Sequence, residues 1–102
     1  KHFSLHRKDP ALMSGERILV IDDAPDILEA LHATLEDSGF QVAAAPDGRT
    51  ALRKFYEFQP QLVVLDLVMP AMGGIEVCRQ IRTMSDVPVV FLSGVEDIDQ
   101  KV

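Results

Sequence analysis

Two adjacent aspartates, Asp22 and Asp23, follow the aliphatic run Ile18-Leu19-Val20-Ile21, and a third, Asp66, follows the similar run Leu62-Val63-Val64-Leu65. Ser93 closes another such run, Val89-Val90-Phe91-Leu92. Runs of this kind read as strands buried on both faces, so each delivers an oxygen-bearing side chain at its carboxyl end. In open parallel sheets, ligands bind outside those ends, where the strand order reverses. If the first and third strands are neighbours there, three carboxylates converge and repel one another. A hard cation with oxygen ligands is the natural remedy, and magnesium with retained waters suits two carboxylates plus a carbonyl. Such an ion also neutralises an incoming phosphoryl group, so a carboxylate can attack phosphorus and form an acyl phosphate. Ser93 could then offer its hydroxyl to a phosphoryl oxygen.

The elements that must position these residues alternate along the chain. After the first strand, Asp23 to Ser38 carries Ile27, Leu28, Leu31 and Leu35 at helical spacing, with Pro25 in the first turn and Gly39 past the end. Phe40 to Ala44 reads as a second strand. Pro46-Asp47-Gly48 is a turn into a helix carrying Ala51, Leu52 and Phe55, which Pro60 stops. The third strand precedes a loop with Pro70, Gly73 and Gly74, and Ile75, Cys78 and Ile81 or Arg82 mark a third helix. A fourth strand follows Pro88, and Glu96 to Val102 reads as the start of a fourth helix. Strands and helices alternating at such short intervals predict a parallel sheet with right-handed crossovers and helices on both faces.

At 102 residues and 47% hydrophobic, the chain has room for one domain with a modest core. Residues 1–12 show no periodicity and are read as a tag or disordered extension, which places the domain at 13–102. Removing Lys1, Arg7, Lys8 and Asp9 with that extension leaves 7 basic against 15 acidic side chains, a poor footprint for direct nucleic-acid binding. No apolar run is long enough to span a membrane, and the single cysteine cannot form an intramolecular disulfide. A cytoplasmic protein fits.

With these residues in place, the chain from Arg17 onward resembles response-regulator receiver domains. ILVIDD, LVVLDLVMPAMGG and VPVVFLSG stand in the expected order. The resemblance implies a flavodoxin-like, doubly wound α/β fold with strand order 2-1-3-4-5. It implies Asp66 as phosphoacceptor, with magnesium bound by Asp23, Asp66 and the backbone carbonyl of Val68, and by Asp22 through water. Ser93 would fill the hydroxyl switch position and Gly94 the small-residue position that keeps the phosphoryl pocket open, while Met69, Pro70 and Gly74 would shape the loop after the acceptor. The implied partners are a sensor histidine kinase or phosphotransfer protein and an output domain or effector outside this chain, such as a DNA-binding domain with a winged-helix fold.

The family's fifth strand, with its lysine and nearby aromatic residue, and its fifth helix have no counterpart before Val102. Lys101 falls where the fourth helix should begin and is not assigned the lysine's role. The domain is therefore expected to be incomplete at its C-terminus, with an exposed fourth strand open to pairing in a homodimer. Blander readings apply elsewhere. Asp22-Asp23 alone could be a helix-capping cluster. Cys78 reads as a core residue and Met84 as a helix-end residue, His32 as a surface residue, and His2 and His6 as part of the extension. Gly73-Gly74 is a turn without the lysine that a phosphate-cradling loop needs. Rival functions are an aspartate-nucleophile phosphatase or phosphotransferase, which would have two aspartates one residue apart after the first strand, and a flavodoxin-like flavin carrier, which would have a Ser/Thr-rich loop there. A degenerate receiver used only for protein binding would have lost an acidic residue.

Overall fold

The computed structural model describes residues 15–92. The extension at 1–12, Ser93, Gly94 and the expected fourth helix lie outside the described residues. The elements run β1 (Arg17–Ile21), α1 (Pro25–Asp37), β2 (Gln41–Ala45), α2 (Gly48–Phe58), β3 (Leu62–Leu65), α3 (Gly74–Arg82) and β4 (Val89–Phe91). All neighbouring strands are parallel, in the order β2-β1-β3-β4. This is the doubly wound, flavodoxin-like arrangement expected from the sequence.

The strands alternate their side chains between two cores, as a period of two dictates. Leu19 and Ile21 of β1 join Val63 and Leu65 of β3 on the face covered by Ala51 and Phe55 of α2 and Val77 and Ile81 of α3. Ile18 and Val20 join Leu62 and Val64 on the opposite face, against Leu35, with Leu28 and Leu31 packed beside it. The chain moves outward from β1 to β2 and then back past β1 to β3. Crossovers of one hand therefore put α1 and α2 on opposite faces. Ile18 to Ile21 are fully buried, and each side chain contributes about 1.5–3 kcal/mol by leaving water.

Local chemistry sets the element ends. Pro25 opens α1, where its missing N–H costs nothing. Gly39, at φ 99°, closes it: Gly39 N–H donates to the Glu36 carbonyl and Phe40 N–H to the Leu35 carbonyl, and Phe40 and Leu35 share a core. This pair of hydrogen bonds with its apolar contact is a Schellman ending, which favours glycine at the left-handed position. Asp47 caps α2 by accepting from Thr50 N–H at 2.8 Å.

The structure differs from the sequence expectations in detail. Helix α1 begins at Pro25 rather than Asp23, and β2 begins at Gln41 rather than Phe40, which is buried just before it. Ile75 is 58% exposed, and the inward stripe of α3 runs through Gly74, Val77 and Ile81. Cys78 packs half-buried against the core, as its packing role required.

Candidate functional site

The strand register brings the acidic residues together. Asp22 directly follows β1, and its N–H donates to the Ala45 carbonyl at 3.2 Å. Asp66 directly follows β3, and its N–H donates to the Ile21 carbonyl at 2.8 Å. Both main chains are therefore pinned to neighbouring strands at the carboxyl edge of the sheet, where Ile21 pairs with Leu65. Each carboxylate then closes a small turn of its own: Asp22 Oδ1 accepts from Ala24 N–H at 2.9 Å and Asp66 Oδ1 from Val68 N–H at 3.2 Å.

Carboxylate oxygens of Asp22, Asp23 and Asp66 lie within 4.8 Å of one another. Asp22 is 1% exposed and Asp66 9%, whereas Asp23 opens to solvent. At 4.8 Å the repulsion between two full charges is on the order of 3 kcal/mol for an effective dielectric constant near 20. A divalent cation reverses the sign of that interaction, and an all-oxygen donor set fits a hard ion. The capping alternative receives limited support: the N-cap of α1 is Ala24 without a side-chain bond, and Asp22, not Asp23, braces the turn before it.

The loop after Asp66 is held close by a glycine. Gly74 N–H donates to the Leu67 carbonyl at 3.0 Å. A Cβ on Gly74 would stand 2.8 Å from Leu67 Cα and 3.0 Å from the Asp66 carbonyl carbon, so only glycine lets α3 start this near the strand end. The sequence placed Gly74 in the loop, whereas it opens α3, and its contact with the Asp66 backbone was not legible from spacing alone. On the far side of the site, Leu92 N–H donates to the Leu65 carbonyl at 2.8 Å, which registers the end of β4 with the end of β3. Val68 lies in the turn, bonded through its N–H to Asp66. Its side chain is exposed.

A parallel doubly wound sheet with an acidic trio at the carboxyl ends of two adjacent central strands defines a flavodoxin-like carboxylate-site protein. Known proteins narrow the class. The family model for the response regulator receiver domain matches residues 18–102, and the chain belongs to this family. It is 46% identical over 82 residues to the DNA-binding response regulator MtrA of Mycolicibacterium smegmatis, covering 80% of this chain and 36% of that protein. The response regulator TrrA of Thermotoga maritima, solved in complex with Mg(2+)-BeF, superposes with a TM-score of 0.72 at 38% identity, covering 78% of this chain and 70% of that one. A structure of the histidine kinase ThkA in complex with TrrA matches with a TM-score of 0.71 at 39% identity, covering 76% and 68%. The chain spans little more than a third of the length of the curated relatives it matches.

Proposed function

We propose that this domain accepts a phosphoryl group on Asp66 from a sensor histidine kinase or a phosphotransfer protein. The observation that carries this reading is the convergence of Asp22, Asp23 and Asp66 on one oxygen cluster at the sheet edge. Asp23 and Asp66, with the Val68 carbonyl, would hold magnesium directly, and Asp22 would hold it through water. When bound, the ion neutralises charge on the carboxylates and on the phosphoryl oxygens. A carboxylate oxygen of Asp66 attacks phosphorus in line, its bond to the donor's histidine nitrogen breaks, and that nitrogen keeps the electron pair and takes up a proton. The turn from Asp66 to Val68 orients the nucleophile before the donor arrives.

Ser93 is the residue we assign to the phosphoryl oxygen and the switch. Phosphorylation would bias a two-state equilibrium in which Ser93 moves toward that oxygen and the surface around the expected fourth helix rearranges for a partner. The domain catalyses only its own phosphotransfer and dephosphorylation. The output is a domain or effector outside this chain, and the DNA-binding relative supports transcription as the process it controls. A cytoplasmic setting follows from that reading, and among the described residues no helix is long and apolar enough to cross a membrane.

Incubation with acetyl phosphate, with and without magnesium, followed by intact mass and site mapping, tests the proposal. One magnesium-dependent phosphoryl addition at Asp66, absent in Asp66→Ala, is expected. Labelling that survives in Asp66→Ala would sink the assignment. A protein that never labels would instead be a receiver retained only for binding other proteins.

A further inference from the structure

Strand β2 stands at one end of the sheet. Gln41 N–H donates to the Glu16 carbonyl at 2.9 Å, and the Ala45 carbonyl accepts from Asp22 N–H at 3.2 Å. In an extended strand the peptide groups of successive residues point to alternate sides. Gln41, Ala43 and Ala45 therefore use theirs on β1, while Val42 and Ala44 direct theirs outward. The strand, QVAAA, carries neither charge nor proline. Such an edge is a template for another strand, and β2 can serve as its own partner: two copies running antiparallel about Ala43 would set Val42 of each opposite Ala44 of the other.

One side chain stands in the way. Lys54 reaches from α2 to the edge, and its Nζ donates to the Ala44 carbonyl at 2.6 Å. It shares a groove with Ala43, Glu57 and Phe58, so its stem lies over the sheet margin while its ammonium sits on the outward carbonyl. An ammonium has donors only. An incoming N–H would have to share that carbonyl with the ammonium and would meet a cation facing it. We propose that Lys54 guards the outer edge of β2 against strand pairing with a second copy of this chain.

The guard is tested by removing the ammonium in the full-length protein. Lys54→Met keeps the apolar stem, and Lys54→Ala serves as a second variant should the methionine disturb the fold. Sedimentation velocity over a wide concentration range should show self-association in these variants beyond that of the unmodified protein, with Lys54→Arg behaving as the unmodified protein does. Hydrogen exchange at the Val42 and Ala44 amides should slow as the concentration of either variant rises. Adding Val42→Pro, which removes an outward N–H, should reverse the association and restore fast exchange at the Ala44 amide. Unchanged sedimentation with concentration-independent exchange at Val42 and Ala44 would overturn the proposal, as would association that persists with Val42→Pro or that protects β4 instead.

Discussion

Asp66 braces its own loop by accepting from Val68 N–H, and it adds a charge to a cluster that already holds two. Asp66→Asn keeps an acceptor for Val68 and removes the charge. In metal-free buffer this variant should therefore be more stable than the parent, by about 1–3 kcal/mol from relieved repulsion, although most substitutions at buried positions destabilise. Urea unfolding in the presence of a chelator measures this, and an unchanged or lowered midpoint would mean that the cluster carries little repulsion. Gly74 supplies the opposite case. A methyl group there meets the backbone of Asp66 and Leu67, which cannot rotate away as a flexible side chain can. Gly74→Ala should destabilise by about 1–3 kcal/mol and slow labelling of Asp66, because the loop carrying the nucleophile must shift. Unfolding and acetyl phosphate kinetics on the same sample separate the two effects.

At the scale of the elements, the end of α2 responds to pH through one carboxylate. The bonds from the backbone and side chain of Thr50 to Asp47 hold that carboxyl below its ordinary value. Its folded-state pKa is depressed, so its contribution to stability is present above the unfolded-state value and is lost as pH falls through the folded one. The parent should exceed Asp47→Ala in urea midpoint at neutral pH, with the gap closing only in the acidic range below the usual carboxylate titration. A gap that stays constant down to strong acid would remove the cap from this account. The cap was legible as a turn because proline, aspartate and glycine punctuate the sequence, and the first, third and fourth strands were legible as uninterrupted apolar runs. The inward face of α3 was harder to read. Ile75, Cys78 and Ile81 share an apolar character, but the close approach of Gly74 to the loop rotates Ile75 outward and leaves Val77 to fill the core. Placing Asp22, Asp23 and Asp66 in one site needed β1 next to β3, a long-range pairing that no local pattern encodes.

For the whole molecule, a metal held at the strand ends would couple its binding to folding. An unfolded chain does not hold three carboxylates within 4.8 Å, so an ion that needs them binds the native state alone. Magnesium at a hundredfold excess over its dissociation constant should raise stability by about 2.7 kcal/mol. Thermal unfolding with increasing magnesium, and its reversal by chelator, reads this directly. The response should be lost in Asp23→Ala, whose carboxylate is the solvent-facing member of the cluster. A midpoint insensitive to magnesium would count against a metal-dependent site.

The strand order also has a consequence for the chain as it leaves the ribosome. Strand β1 meets β2 early, but its other edge is completed only by β3, about twenty residues after Ala45. At the usual pace of translation, on the order of 5–20 residues per second, one side of this buried strand therefore waits for one to several seconds. During that interval Ile18 to Ile21 form a segment that a chaperone would bind, and synonymous codons that slow elongation between Ala45 and Leu62 would lengthen its exposure.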